Sequence, residues 1–164
     1  MRRAKKRRDD TKRRPWPLPQ RPGFLIRRLH QIHVALFQEA CGRFEVTPLQ
    51  YSLLSALAVR GTADQTTLAA DIALDRTTTT GALKRLAARN LVERPVNGDD
   101  RRARVCKLTP AGAALLAEIE TSARAAHLAT LGNLTKVEQA RFIAMMQRIV
   151  EGHVNRDSAG ALFD

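Results

Sequence analysis

The stretch from Asp64 to Thr109, DQTTLAADIALDRTTTTGALKRLAARNLVERPVNGDDRRARVCKLT, constrains the fold more than any other part of the chain. It packs two helix starts and a hairpin turn into a segment with almost no spare connecting residues. Asp64 or Thr66 can cap a short helix over Thr67 to Ala73, in which Leu68 and Ile72 share one face. Asp75 is a second cap. Behind it Thr79, Leu83, Leu86 and Asn90 fall on one helical face, and the leucines make that face the inward one. Thr77, Thr80, Gly81 and Lys84 fall on the other. Leu91 to Val96 then reads as a strand, Asn97-Gly98 as a hairpin turn, and Arg101 to Thr109 as the returning strand. Helix, short turn, helix and hairpin in this order form a winged helix-turn-helix, a unit whose partner is duplex DNA.

The second helix is built against its own stability. Four successive threonines are poor helix formers, and Gly81 costs about 1 kcal/mol relative to alanine in a helix interior. A plain polar surface helix is one reading. A helix pressed into a major groove is the other, because short side chains permit close approach. Hydroxyls reach bases and phosphates, and threonine methyls meet thymine methyls. The hairpin tip carries Arg101, Arg102 and Arg104. Such a charge run is usually just solvated, but beside a recognition helix it can place guanidinium groups in a minor groove. On the DNA reading Arg76, Thr77, Thr78, Thr80 and Lys84 face the duplex, the first four nearest the bases. Thr67 and Arg85 meet phosphate.

The hairpin also carries a longer pattern: Asp100-Arg101-Arg102, five residues from Ala103 to Lys107, then Leu108-Thr109, followed by Pro-Ala-Gly. With it the chain resembles the MarR (multiple-antibiotic-resistance regulator) family of transcription factors over residues 23 to 153. The resemblance implies that Arg102 enters the minor groove and that Asp100 holds the wing through an ion pair. It implies dimerisation through the first and last helices. It also implies a small-molecule effector bound between the dimer layer and the winged domain, changing the spacing of the recognition helices and releasing DNA. Some members carry an arginine where this chain has Gly81. Any base contact made there is lost, so Arg76, Thr77, Thr78 and Thr80 carry more of the specificity.

The remaining residues supply a helical frame. Leu25, Leu29, Ile32 and Leu36 stripe a helix from Gly23 to Arg43, with Ile26, His33, Phe37 and Ala40 beside them. That stripe is broader than one surface helix needs and predicts burial against a second subunit. Thr47-Pro48-Leu49-Gln50 is a capping box with proline in the first turn, opening a helix to about Val59. Thr109-Pro110 repeats the device before a long alanine-rich helix to about Leu131. Thr135 to Glu138 opens the last helix, whose Phe142, Met145, Met146, Ile149 and Val150 form an apolar face. The expected fold class is therefore mainly α with a small β-hairpin wing. It comprises a winged helix-turn-helix domain at 47–109 and a helical dimerisation layer at 23–46 and 110–153. Residues 1–22 read as a basic, proline-containing disordered tail, and 154–164 as a frayed end.

The net charge of +12 is uneven. Residues 1–14 hold nine Lys or Arg against two Asp, which is +7 and more than half of the total. The pI is thus weak information about the folded part, and a basic architectural DNA- or RNA-binding protein working through its tail is the alternative reading. No apolar stretch follows the basic start, and no run reaches the length of a membrane span. The two cysteines, Cys41 and Cys106, make no disulfide framework, and a reducing, cytoplasmic, nucleoid-associated setting is expected. Cys41 is a candidate redox switch. His30 and His33 share a helix face but do not complete a zinc site, so no metal or other cofactor is expected. Arg27, His30, His33 and Tyr51 fall near the junction of the two layers. They are candidates for binding an acidic effector, such as an aromatic carboxylate or its thioester. No phosphate loop, nucleophile elbow, HExxH or paired cysteines propose catalysis. The expected partners are double-stranded DNA, a second copy of the chain and a small molecule, with no membrane.

Overall fold

A computed structural model describes residues 15–93 and 105–157, with side chains to residue 153. Its elements run α1 (Pro22–Cys41), α2 (Pro48–Arg60), β1 (Thr62–Asp64), α3 (Gln65–Asp71), α4 (Arg76–Ala88), β2 (Val92–Glu93), β3 (Val105–Leu108), α5 (Pro110–Thr130) and α6 (Lys136–Asp157). A single 3-10 turn, Leu18–Gln20, precedes α1.

Local chemistry sets most of the helix starts. Thr47 Oγ1 accepts the Gln50 N–H at 3.2 Å, and Gln50 Oε1 accepts the Thr47 N–H at 3.0 Å, so two otherwise orphaned donors are satisfied at α2. Thr135 and Glu138 exchange the same bonds ahead of α6. Thr109 caps α5 by accepting the Gly112 N–H at 2.9 Å, while its own hydroxyl donates to the Asn90 carbonyl at 2.7 Å. That threonine therefore ties the start of α5 to the chain leaving α4. The packing there is tight. A Cβ on Gly112 would lie 2.0 Å from the Leu91 carbonyl oxygen, so only glycine fits.

The structure settles one open sequence expectation and corrects three. Of the two candidate caps, Asp64 rather than Thr66 opens α3, because its carboxylate accepts from both Thr66 and Thr67 N–H. That helix ends at Asp71, two residues early, where Ala73 takes a left-handed φ of 52° to turn the chain. Asn90 likewise adopts φ 56° beyond the end of α4 and is exposed, so Ala82 rather than Asn90 joins the inward face. The sheet has three strands instead of two. β3 is central, pairing antiparallel with β2 (Val92 opposite Leu108) and with β1 (Ala63 opposite Cys106).

One core gathers Leu53, Leu54 and Leu57 of α2, Leu68 of α3, Leu83 and Leu86 of α4, Cys106 of β3, Phe37 of α1 and Ile119 of α5. Each fully buried leucine contributes about 1.5–3 kcal/mol relative to an exposed one. α1 and α5 lie against each other over much of their length. Beyond that contact the α1 stripe stays open, with Leu25, Ile26 and Ile32 exposed. None of the described side chains of α6 is buried. Among the described residues no helix is long and apolar enough to cross a membrane.

Candidate nucleic-acid interface and effector cleft

α3 and α4 are held at a fixed angle by chemistry at their ends. Asp64 Oδ1 accepts the Thr66 and Thr67 N–H groups at 2.8 and 2.9 Å, and the Thr67 hydroxyl donates to Oδ2 at 3.1 Å. The bond from the Thr67 backbone, more than any other influence, holds the Asp64 carboxyl below its usual range. Between the helices the Leu74 N–H returns to the Ala69 carbonyl at 3.0 Å, closing a turn of the kind that ends helices in a left-handed residue. Asp75 caps α4 through the Thr78 N–H at 2.8 Å, and this bond chiefly depresses its pKa. Two arginines brace the unit from behind. Arg60 of α2 forms a forked pair with Asp71 of α3, its Nη2 lying 2.7 Å from Oδ1. Arg89 donates to the Phe44 and Glu45 carbonyls in the link between α1 and α2.

The four threonines of α4 have separate fates. Thr79 is fully buried, and its hydroxyl donates to the Asp75 carbonyl at 2.9 Å. Thr78 is exposed and its side chain also bonds Asp75. Thr80 is half-buried, with Oγ1 2.7 Å from both the Arg76 carbonyl and Gln65 Oε1. Thr77 is exposed, and no described contact uses its hydroxyl. Arg76, Lys84 and Arg85 are exposed on the same helix. Thr67 is half-buried in the α3 cap. In the wing, Lys107 and Glu93 form a cross-strand ion pair at 3.0 Å. Asp100, Arg101, Arg102 and Arg104 lie outside the described residues.

A second cluster sits where α1, α2 and α5 meet. The His33 ring stacks on His127 with centroids 4.7 Å apart, and its Nδ1 lies 3.0 Å from Thr130 Oγ1. Since the Thr130 hydroxyl has the Ala126 carbonyl 2.9 Å away, His33 Nδ1–H donating to Thr130 satisfies both contacts. Phe37 packs edge-on to His33 and tilted against Tyr51, at 6.1 and 5.6 Å. Tyr51 donates its hydroxyl to Glu120 at 2.8 Å. Burial first, then the positive charge on His127 and His30, lowers the His33 pKa. Burial and the bond to Glu120 raise that of Tyr51.

Thus His33 and Tyr51 come together, with His30 close enough to act on His33. Arg27 instead lays its guanidinium 5.7 Å from the Phe24 ring centroid, at the start of α1. His127, Glu120 and Gln65 were not among the residues singled out from sequence. His127 and Glu120 lie seven apart, two turns of α5, on the face that meets α1 and α2. That spacing is the signal that could have found them, once α5 is known to pack there. Cys41 is fully buried and burial pushes its thiol pKa up, the environment of an inert thiol rather than a redox switch. Among the described residues no group of side chains could hold a metal ion.

The chain as a whole is similar to known proteins. The MarR family model matches residues 46–103. The HTH-type transcriptional repressor NicR of Pseudomonas putida is 30% identical over 141 residues, covering 86% of this chain and 89% of NicR. Bordetella bronchiseptica BpsR, whose DNA binding is regulated by 6-hydroxynicotinic acid, is 30% identical with a TM-score of 0.78, over 84% of this chain and 98% of that one. The PcaV regulator of Streptomyces coelicolor, solved in complex with its natural ligand, is 29% identical with a TM-score of 0.77, over 84% and 97%.

Proposed function

Since the chain belongs to the MarR family of transcriptional regulators, we propose that it is a homodimeric repressor released from its operator by a small aromatic acid. The carrying observation is the outward face of α4. Arg76, Thr77, Thr78 and Lys84 are exposed there, while both ends of the helix-turn-helix are braced by Asp64, Asp75, Arg60 and Arg89. Two such helices in a dimer enter successive major grooves about 10 bp apart, and Arg101, Arg102 and Arg104 reach the flanking minor grooves. Arg85 and Thr67 serve phosphates. Asp100 steadies the wing.

The dimer reading is supported by apolar surface that one chain leaves open. Ile143, Met145, Met146, Ile149 and Val150 are exposed on α6, and Leu25 and Ile26 on α1. A soluble monomer has little reason to carry so much of it on two helices.

The effector reading rests on the His33–His127–Tyr51 cluster, with BpsR as a relative regulated by a hydroxylated aromatic acid. Stacked rings suit a flat ligand, and imidazolium suits its carboxylate. Arg27 adds positive charge along the same helix, and His30 lies one turn before His33. Tyr51 lies on α2, whose far end carries Arg60 bonded to Asp71 of α3. A ligand that shifts α2 therefore shifts the helix-turn-helix. It releases DNA only by binding the DNA-incompatible spacing more tightly.

The test is binding of the purified protein to DNA upstream of its own gene, against a scrambled duplex, at two salt concentrations. Preference that survives the higher salt, and is lost on adding an aromatic acid such as 6-hydroxynicotinate, is the expected result. Equal binding to both duplexes, collapsing with salt, moves the protein to the architectural reading based on residues 1–14.

A further inference from the structure

We infer that Gln65, the first residue of α3, is a base-reading residue, and that Thr80 of α4 positions it. This rests on the operator-binding reading above and extends it to a residue outside the recognition helix. Thr80 stands midway along the line Arg76–Thr80–Lys84 on the outward side of α4, one helical turn from each. Its Oγ1 is 2.7 Å from the Arg76 carbonyl and 2.7 Å from Gln65 Oε1. A threonine hydroxyl has one proton, and both of those neighbours only accept. One proton cannot serve two such short contacts fully. Turning the Gln65 amide by half a turn exchanges its oxygen and nitrogen and moves nothing else. Nε2 then donates to Thr80, Thr80 donates to the Arg76 carbonyl, and each short contact has its own proton.

Two consequences follow from that arrangement. The Thr80 hydroxyl is used up within the protein, like those of Thr78 and Thr79, which serve Asp75. On the face α4 presents, Arg76, Thr77 and Lys84 stay exposed, while the middle of that face at Thr80 offers no free hydroxyl proton. Gln65, which is only half-buried, keeps one amide hydrogen and its carbonyl oxygen for a partner. A donor and an acceptor side by side on one rigid amide match N7 and the N6 amino group of adenine in the major groove. Thr80 fixes the amide plane so that both can be made at once.

The experiment selects preferred duplexes from a randomised pool with the full-length protein, then compares Gln65→Ala, Gln65→Glu and Thr80→Val on that duplex and on its single-base variants. Thermal melting of each variant runs in parallel. Gln65→Ala is expected to lower discrimination at one A·T pair by roughly tenfold, leaving the other positions and the melting temperature unchanged. Gln65→Glu keeps an acceptor and loses the donor, so preference at that pair moves from adenine towards cytosine. Thr80→Val keeps the shape and removes the hydroxyl, and it reduces discrimination at the same pair. The combined Gln65→Ala, Thr80→Val change is no worse than Gln65→Ala alone. If Gln65→Ala weakens binding to every duplex by one common factor, Gln65 meets phosphate and the assignment fails. If it changes nothing, or only the melting temperature, Gln65 is a structural residue and the assignment also fails. A wild-type protein with no preferred duplex overturns the operator-binding reading itself, and this assignment with it.

Discussion

The winged half of the molecule and its helical layer treat apolar surface in opposite ways. In the winged half Leu53, Leu54, Leu68, Leu83 and Leu86 are all fully buried within one chain. In α6 Ile149 and Val150 are about three-fifths exposed, at 62% and 60%. The first region closes its core within the chain, with Phe37 of α1 and Ile119 of α5 joining its leucines, and it is tied by Arg60, Arg89 and Thr109. In the second, α1 and α5 cover each other in part, but Leu25, Ile26 and Ile32 of α1 and the apolar face of α6 are left uncovered. In the proposed dimer the stability of this second region is tied to protomer concentration more than that of the winged half.

The largest effect is expected where the two regions join. Gly112 opens α5 with no room for a Cβ, since the Leu91 carbonyl oxygen would lie 2.0 Å from it. Gly112→Ala must push α5 off the chain leaving α4. It is expected to cost about 3 kcal/mol, the upper end for overpacking, because the obstacle is backbone. Chemical denaturation measures this. A loss under about 1 kcal/mol would mean that α5 moves freely against the winged half, and the contrast drawn above would lose its rigid boundary.

Next comes the open face. Met146→Glu with Ile149→Glu changes two side chains that are 38% and 62% exposed, so a lone chain tolerates them within about 0.5 kcal/mol each. In a dimer they place charge in the interface. The wild type is expected to melt higher as its concentration rises, and the double variant is not. At a concentration 100 times the dimer Kd the difference is about 2.7 kcal/mol. Sedimentation of the two proteins gives the mass directly. A wild type that sediments as a monomer removes the dimer layer from the picture.

Much of the winged half was legible because its determinants are local. Thr47 and Gln50 are three residues apart, and Asp75 lies three before Thr78; the same spacing joins Thr135 and Glu138 in the helical layer. A capping bond spans that distance whatever the rest of the chain does. β1 was not legible. Thr62 to Asp64 is three residues long and exists only because it pairs with β3, more than 40 residues later. The left-handed Ala73 was hidden for a related reason, since alanine does not favour φ above zero and is held there by the turn around it; Asn90, a residue that tolerates φ above zero, was hidden by falling in register with the inward helical face. At the proposed effector site, His33 and Tyr51 could be put forward from their place near the layer junction. His127 could not, because its stacking on His33 depends on how α5 lies along α1. Gln65 was hidden by its modest position in a cap, and only the 2.7 Å approach to Thr80 draws it out.

Gly81 tests whether the recognition helix trades stability for access. A Cβ there would meet only Arg85 Nη1, at 3.6 Å, an ordinary contact with the end of a flexible side chain. Gly81→Ala is thus expected to stabilise the protein by about 1 kcal/mol. Operator affinity falls if the glycine is there for close approach to the groove. A variant that is both more stable and equally tight on DNA would leave that glycine without a role in recognition.

The smallest expected effect belongs to the histidine cleft, and it has a definite sign. His33 has a folded pKa below its ordinary 6.5, because burial and the positive charge of His127 and His30 disfavour its imidazolium. Between 6.5 and that lower value the unfolded chain binds a proton that the folded one does not. The His33 contribution is therefore present in full above about pH 6.5 and is lost as pH falls through the folded pKa. His33→Phe keeps an aromatic ring beside Phe37 and removes the titration. It is expected to flatten the decline in melting temperature between about pH 7 and 5 by less than the Gly81→Ala change raises it. An unchanged decline would place the acid sensitivity elsewhere. An aromatic carboxylate bound at this cleft reverses the penalty, since its charge favours the imidazolium. Its binding then takes up a proton near neutral pH, and its affinity rises as pH falls. Calorimetry in two buffers of different ionisation enthalpy reads that proton. With no uptake by the wild type, or with the same uptake in His33→Phe, the stacked histidines are not where the acid binds.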